Sequence, residues 1–253
     1  MRIYIEFGRD DEWILPATFR RLFEAYLHKI TGIHGDATPY SYGGRHYIPW
    51  VFSSISWKGE KKKKEHDRVV VRGPIGLYID SPIEVISEDI FNHFIKGGSI
   101  ELLGEKMDIY SVQALPKYPD FEKGEMQAVA IAPIVTYRSI ESYTCFIYPF
   151  DEKQWRPMVE ESIRRKLVAF GYMKEDEAKK AEIHIKPLAL DIRRNYQVAS
   201  YTKEGKTMVF KGFTGLYKLW GHPRAIEMAY RSGIGSRNGI GFGMLKEYEK
   251  KKK

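Results

Sequence analysis

Residues 233–245 read Gly-Ile-Gly-Ser-Arg-Asn-Gly-Ile-Gly-Phe-Gly-Met-Leu, which places five glycines within eleven positions. Glycine adopts positive φ angles and lets a backbone approach a ligand closely. Successive backbone N–H groups in such a segment can form a concave nest for phosphate oxygens. A single glycine would indicate only a tight turn, whereas five around Arg237 and Asn238 favour an anion-binding loop. We call residues 233–243 the glycine loop.

The elements on either side of the glycine loop exclude two common nucleotide-binding classes. Residues 223–231 carry Pro in the first turn and predict a helix, while residues 240–245 predict a strand. A dinucleotide-binding loop needs G-x-G-x-x-G between a strand and a helix that follows it. Here Gly233, Gly235 and Gly239 are spaced G-x-G-x-x-x-G between a helix and a strand. The P-loop pattern G-x-x-x-x-G-K-[ST] does not occur either.

The order of helix, glycine loop and strand resembles the C-terminal signature of the CRISPR-associated repeat-RNA endoribonucleases. These belong to the repeat-associated mysterious protein (RAMP) superfamily. The resemblance covers most of the chain. It extends upstream through residues 213–223, to residues 131–135 with the amphipathic helix that follows them, and to the N-terminal strand and helix with the strand over residues 50–53. It implies an α+β fold of two tandem ferredoxin-like (βαββαβ) domains. It also implies that the protein binds the CRISPR repeat RNA of the precursor transcript during crRNA maturation in prokaryotic antiviral defence.

Hydrophobic periodicity in the first half predicts the same fold class. Residues 2–7 alternate as a half-buried strand, and apolar residues at helical spacing predict a helix over residues 15–30. Strands are predicted over residues 50–57 and 69–78, joined by a lysine-rich turn. A helix with Ser87 as its N-cap and strands over residues 100–103 and 107–115 follow. This is the strand and helix order of a ferredoxin-like domain.

The second half repeats that order. A helix that begins after Asp151 carries an apolar stripe of Trp155, Val159, Ile163, Leu167 and Phe170. Strands are predicted over residues 131–137, 143–148, 182–190, 193–201 and 206–211, before the final helix, glycine loop and strand. We therefore predict an N-terminal ferredoxin-like domain over residues 1–125 and a C-terminal one, with the glycine loop, over residues 126–253.

Charge and aromatic residues concentrate in the segment that ends with the glycine loop. The 253-residue chain has 41 Lys and Arg against 33 Asp and Glu, a net charge of +8. Residues 191–245 alone contain nine basic and three acidic side chains, together with eight aromatic ones. Basic residues interleaved with aromatics are typical of RNA-binding surfaces. The RNA-contacting residues predicted from this segment are Arg193, Arg194, Arg231, Gly233, Gly235, Ser236, Arg237, Asn238, Gly239 and Gly241.

Other features limit the cofactors and the compartment. Cys145 is the single cysteine, so an internal disulfide is excluded, and no apolar run is long enough to span a membrane. We expect a cytoplasmic protein with no membrane partner. Metal-ligand spacings such as H-x-x-H or C-x-x-C do not occur. We therefore predict no metal site and no cofactor.

The resemblance also implies a catalytic set. RNA can be cut without a metal when a base activates the 2′-hydroxyl and an acid protonates the 5′-oxygen, roles that suit histidine. Enzymes of the family use a histidine in the loop after the first helix, often with a tyrosine nearby, which implies His46 and Tyr26 here. The family's histidine usually lies eight residues before the aromatic residue of the next strand. Counted from Trp50, that position holds Tyr42, and His46 is only four residues before Trp50.

Three hypotheses follow from this displaced histidine. The first is a member that binds the repeat RNA without cutting it. The second is an active, metal-independent endoribonuclease that leaves a 2′,3′-cyclic phosphate. The third is a structural RAMP subunit of an RNA-guided effector complex, which would bind RNA tightly only with partner proteins. A homodimer is a further partner hypothesis. A generic RNA-recognition module is disfavoured, since the sequence has no RNP-type strand motif.

Overall fold

A computed structural model of the protein describes residues 1–16, 18–34, 37–65, 68–102, 104–115, 117–141, 143–203 and 206–249. For residues 61–65, 68, 198–203 and 206–207 only the backbone is described. No helix in these described ranges is long and apolar enough to cross a membrane.

Residues 2–115, the N-terminal half, form one antiparallel sheet with two helices. The elements are β1 (Arg2–Pro16), α1 (Phe19–Thr31), β2 (Ser41–Tyr42), β3 (Arg45–His46), β4 (Val51–Phe52), β5 (Ser56–Trp57), β6 (Glu60–Glu65), β7 (Arg68–Asp80), α2 (Glu84–Gly97), β8 (Ser99–Leu102) and β9 (Glu105–Leu115). The strand order is β4-β7-β1-β9-β8, and β5 and β6 also pair with β7. The edge strands β4 to β6 together take the place of the second strand of a ferredoxin-like domain.

The alternation in β1 explains why the helices cover one face of this sheet. Ile3, Ile5 and Phe7 are fully buried on the same face. Phe23 of α1 stacks on Phe7 with ring centroids 6.0 Å apart, and Phe94 of α2 is buried in the same core. Burying one such side chain stabilises the fold by about 1.5–3 kcal/mol. The apolar face of β1 therefore fixes where α1 and α2 lie.

Residues 125–247, the C-terminal half, build a second sheet of the same type. The elements are β10 (Glu125–Val135), β11 (Tyr137–Ile140), β12 (Tyr143–Phe146), α3 (Glu152–Ala169), α4 (Glu175–Lys180), β13 (Ile183–Ala189), α5 (Ile192–Asn195), β14 (Tyr196–Lys203), β15 (Lys206–Gly221), α6 (Pro223–Ser232) and β16 (Leu245–Glu247). The strand order is β13-β15-β10-β16, with β14 paired to β15. The predicted apolar stripe of α3 is buried against this sheet.

The predicted fold class is confirmed: the protein is α+β with two tandem ferredoxin-like domains. The sheets lie within residues 2–115 and 125–247. The division into residues 1–125 and 126–253 stays a prediction.

Several predicted element ends in the first half were wrong. The helix predicted over residues 15–30 begins only at Phe19, because β1 continues to Pro16 in register with β7. Helix α2 begins at Glu84, so Ser87 is buried inside it and is not the N-cap. The lysine-rich segment predicted as a turn is strand β6, paired with β7.

In the second half, two segments predicted as strands have other structures. The predicted strand over residues 193–201 starts with the single turn α5, because the Asp191 carboxylate accepts the backbone N–H groups of Arg193 and Arg194. The predicted strand over residues 240–245 is mostly loop. Asn238–Ile240 forms a 3₁₀ turn, and only Leu245–Glu247 pairs with β10.

Candidate functional site

A cleft of about 920 Å³ lies between the two halves of the chain. Its walls come from the β2–β3 hairpin of the N-terminal half and from α3, β11 and the glycine loop of the C-terminal half. The structure brings several predicted site residues together here, and they are His46, Gly235, Ser236, Arg237, Asn238 and Gly239. The cleft is therefore the candidate functional site.

Basic side chains outnumber acidic ones in the cleft lining. The charged lining residues are Arg45, Arg138, Arg165, Lys166 and Arg237 on the basic side and Glu24 and Glu161 on the acidic side. Glu161 and Arg165 offset each other, because Glu161 Oε1 accepts from Nε of Arg165 at 2.8 Å, and the remaining basic residues still outnumber Glu24. A cleft lined by an excess of one charge concentrates ligands of the opposite sign. The lining thus suits a polyanion.

The backbone of the glycine loop is held by hydrogen bonds within the protein. The N–H groups of Ile234, Ser236 and Gly243 donate to Gly243, Val135 and Pro133 oxygens at 2.9, 2.8 and 2.9 Å. These three N–H groups are therefore not part of an exposed nest. For the N–H groups of Arg237, Asn238 and Gly239, no acceptor lies among the described residues. These three N–H groups belong to consecutive residues that line the cleft.

Asn238 organises the loop from inside. Its side chain is only 8% exposed, and its Nδ2 donates to Ile234 O at 3.1 Å and to Phe242 O at 2.8 Å. A Cβ added at Gly233 would lie 2.8 Å from this Nδ2, and one added at Gly243 would lie 2.9 Å from it. At Gly243 the Ile234 carbonyl oxygen would lie closer still to the added Cβ, so Gly233 makes room for the Asn238 amide and Gly243 mainly for the backbone of Ile234.

Two further glycines let the loop pack tightly on the N-terminal half. A Cβ at Gly239 would lie 2.7 Å from Ile48 Cβ, and one at Gly241 would collide with the Phe52 ring. The loop carbonyls are also anchored there, since Trp50 Nε1 donates to Gly239 O at 3.2 Å and Arg20 donates to Gly241 O. Close packing between the halves thus accounts for glycines that the sequence alone attributes to ligand approach.

Lys166 of α3 is a site residue that sequence reasoning missed. Its ammonium is buried and donates to Asn238 Oδ1 at 2.6 Å and to Gly233 O at 2.7 Å. Burial lowers the pKa of Lys166 to about 7. The sequence does indicate a buried lysine, because Lys166 follows Ile163 by three positions and so lies on the apolar face of α3. A lysine on the buried face of a helix indicates a polar partner inside the fold.

Ser236 and Arg237 are the exposed part of the loop. Arg237 has a positive φ of 62° and an exposed side chain, and Ser236 is half-buried. The Arg237 Nε donates to Tyr137 Oη at 3.0 Å, and its guanidinium lies 5.8 Å from the centre of the Phe210 ring. Both aromatic residues therefore orient a solvent-accessible cation at the cleft wall.

His46 reaches the cleft on a hairpin that is anchored to the C-terminal half. The residue is exposed on β3 and pairs with Ser41 of β2. Tyr40 and Tyr47 flank the hairpin and pack on Phe170 after α3, with ring centroids 5.3 and 6.2 Å apart. The position of His46 thus depends on contacts with the second half of the chain.

Tyr26, the second predicted catalytic residue, is not part of the cleft. It is outside the cleft lining, and its hydroxyl is 2.8 Å from Nε2 of His93 on α2. Burial raises the pKa of Tyr26 and lowers that of His93. The structure therefore does not bring Tyr26 and His46 together in one lining.

The remaining predicted arginines occupy two other places. Arg231 is buried, and its Nη2 donates to Ser81 O at 2.7 Å and to Glu84 Oε2 at 2.8 Å, which joins α6 to the N-terminal half. Arg193 and Arg194 are exposed on α5, outside the cleft. Across the described part of the chain, no group of three or more His, Cys, Asp or Glu side chains is placed to hold a metal ion.

Two tandem ferredoxin-like domains, with a glycine loop between α6 and β16, define the class of fold to which this protein belongs. The sequence profile described as CRISPR associated protein Cas6, C-terminal, matches residues 116–247, just over half of the chain. The chain belongs to this CRISPR-associated family.

Solved structures share the fold over nearly the whole chain. One described as CRISPR associated protein Cas6 has a TM-score of 0.72 at 19% identity and covers 98% of this chain and 99% of its own. One described as a RAMP protein binding different RNA substrates has the same TM-score and identity, with coverage of 98% and 100%. A Cas6-related protein from Pyrococcus furiosus has a TM-score of 0.72 at 16% identity and covers 99% of both chains. No curated protein matches the chain by sequence.

Proposed function

We propose that this protein binds the CRISPR repeat RNA of the precursor transcript, with the RNA backbone in the cleft between the glycine loop and the His46 hairpin. The observation that carries the proposal is that Arg45, Arg138 and Arg237 line one basic cleft together with residues 237–239, whose N–H groups have no acceptor among the described residues. Family membership supports it. So do the descriptions of similar structures, one a RAMP protein binding different RNA substrates and another a Cas6 product complex.

The chemistry of the cleft matches a sugar–phosphate backbone. Guanidinium groups present planar donors that suit phosphate oxygens, and they stay charged at any physiological pH. The N–H groups of residues 237–239 add neutral donors beside them. In this proposal the predicted loop residues contact the RNA, while Arg231 holds the two halves together through Glu84 and Ser81.

A second candidate function is metal-independent cleavage of that RNA. His46 supports it, because this exposed histidine lines the same cleft as the basic side chains. An imidazole there can take the proton of a 2′-hydroxyl or give one to the 5′-oxygen. Arg237 or Arg45 can stabilise the charge of the phosphorane, although neither can act as a base near neutral pH. Tyr26 has no part in this scheme, because it lies against His93.

One gel experiment tests both functions. The purified protein is mixed with the labelled CRISPR repeat RNA from the same genome, in EDTA, and read for band shift and for cleavage. A shift without cleavage supports the binding-only member, and cleavage that a 2′-deoxy substitution at the cut site abolishes supports the enzyme. If the wild-type protein neither shifts nor cuts the repeat, and does not bind an unrelated RNA either, both proposed functions are contradicted.

The remaining partners and boundaries are part of the proposal. We propose cytoplasmic action, domains over residues 1–125 and 126–253, and binding by the isolated chain. If tight binding appears only after addition of other subunits of an effector complex, the structural-subunit hypothesis is favoured. Sedimentation of the free and RNA-bound protein tests the homodimer.

A further inference from the structure

A partly exposed group of aromatic rings lies outside the cleft. It consists of Tyr148, Phe150, Tyr196 and Phe213, which we call the aromatic cluster. Phe213 is 1% exposed, and the other three rings lie against it with centroids 5.5, 5.3 and 5.4 Å away. Phe150 is 55% exposed and Tyr196 is 36% exposed. A buried ring thus packs against outer rings that remain partly exposed.

Exposed aromatic rings that are held in place indicate an interaction site. Scattered apolar side chains on a surface need no explanation, whereas a contiguous patch does. Tyr148 lies 5.4 Å from Phe150 and 6.4 Å from Tyr196 between ring centroids, so the three outer rings are contiguous. Because Phe213 fixes them, little conformational entropy is lost when a flat ligand stacks on them.

Two arginines lie close to Tyr196 of the cluster in the sequence. Arg193 and Arg194 precede Tyr196 by three and two residues, and the Arg194 side chain is 87% exposed. The nearest acid, Asp191, accepts the backbone N–H groups of both arginines and forms only a long contact of 3.8 Å with Arg194 Nε. The Arg194 guanidinium is thus available to a polyanion, and Arg193 is an exposed residue as well. Rings together with free cations are what single-stranded nucleic acids contact.

The position of the cluster relative to the cleft adds a third observation. Phe150 lies just before α3, and Met158 and Glu161 on α3 line the cleft. Phe150 precedes Glu152, the first residue of α3, by two positions, and Glu152 and Met158 are about 9 Å apart along the helix axis at 1.5 Å per residue. A single-stranded RNA that leaves the cleft along α3 can span that distance with a few nucleotides.

We propose that the aromatic cluster, with Arg193 and Arg194, is a second RNA-contact site that stacks an unpaired base of the RNA held in the cleft. The proposal rests on the proposed RNA-binding function and adds to it an unpaired nucleotide outside the cleft as a determinant of affinity. The neighbouring Ile192 is 62% exposed, which a protein partner would also use. The exposed arginines favour RNA, and the experiment separates the two.

The test combines protein variants with abasic RNA. Phe150→Leu and Tyr196→Leu keep an apolar side chain but remove the ring, while Tyr196→Phe keeps the ring. Tyr110→Leu is the matched control, since Tyr110 is 43% exposed on β9 of the other half. Each protein is titrated with the intact repeat RNA and with RNAs that carry one abasic residue at successive positions. Melting temperatures verify that every variant is folded.

We expect Tyr196→Leu and Phe150→Leu each to weaken binding of the intact RNA about tenfold, the size expected for one stacked base. Tyr196→Phe and Tyr110→Leu should bind like wild type. At one RNA position, an abasic residue should weaken binding by the wild-type protein by the same factor. The same abasic RNA should bind Tyr196→Leu no more weakly than intact RNA does, because the missing base and the missing ring belong to one contact.

Other outcomes overturn the site. If the leucine variants bind every RNA like wild type while Arg237→Ala still weakens binding, the second site is wrong and the proposed function stands. If wild type fails to bind the repeat at all, both fall. Leucine variants with normal RNA binding but an altered sedimentation coefficient would make the cluster a protein contact instead.

Discussion

Replacing Asn238 with alanine tests whether this buried amide organises the glycine loop. At a pH below the Lys166 pKa of about 7, the change removes two neutral hydrogen bonds, from Nδ2 to Ile234 O and Phe242 O, and one charged bond from Lys166 Nζ to Oδ1. A neutral bond contributes about 1 kcal/mol and a charged one about 2 kcal/mol. We therefore expect the free energy of unfolding to fall by about 4 kcal/mol, a large part of the 5–15 kcal/mol typical of a folded protein.

Urea denaturation followed by circular dichroism measures this loss. The control is Asn92→Ala, because Asn92 is exposed on α2 and its removal should change the free energy of unfolding by less than about 0.5 kcal/mol. Repeat-RNA affinity, measured well below the melting temperature of the variant, should fall together with stability. If Asn238→Ala unfolds within about 1 kcal/mol of wild type, the amide is not the centre of the loop and the reasoning from its contacts is refuted.

Three further predictions concern charge and catalysis. Arg237→Ala should reduce the slope of log affinity against log salt by about 0.7, as expected for one phosphate of single-stranded RNA, whereas the exposed Lys96→Ala should leave it unchanged. The folded pKa of Lys166, about 7, lies below the unfolded value, so the unfolded chain binds more protons above pH 7. Urea unfolding at pH 7 and 9.5 should therefore show stability rising with pH relative to Lys166→Met; a flat or falling difference contradicts the shift. If the protein cleaves RNA, His46→Ala should slow single-turnover cleavage roughly 10²- to 10⁴-fold, and His34→Ala should not.

The fold was predictable because its signals are local. Alternation in residues 2–7 and the stripe of α3 depend only on which face of an element is buried. Element ends were less predictable, because they are decided by partners far away in sequence. β1 continues to Pro16 only because Leu15 and Pro16 pair with Val69 and Arg68 of β7. No local pattern contains that pairing.

The candidate site was predictable only in part, for the same physical reason. The unusual glycine density identified residues 233–243, but not why each glycine is there. The glycines are needed because Asn238 fills the inside of the loop and Ile48 packs directly on Gly239, and both contacts are tertiary. Likewise, Arg231 is of a residue type that commonly contacts RNA, yet the fold places its guanidinium group against Glu84. Sequence therefore identifies a loop of this kind better than it assigns roles within it.

The glycine loop connects RNA binding to the arrangement of the two halves. One side of the loop is fixed to α3 through Asn238 and Lys166, and the other is fixed to the N-terminal half through Trp50 and Arg20. Ser236 and Arg237 lie between these anchors and line the cleft. The hairpin that carries His46 packs on Phe170 of the half that also carries Arg237, so these contacts help to hold His46 and Arg237 in one arrangement. Because the same contacts define the cleft and join the halves, a substitution at the anchors should change RNA affinity and stability together, whereas one at Arg237 should change affinity alone.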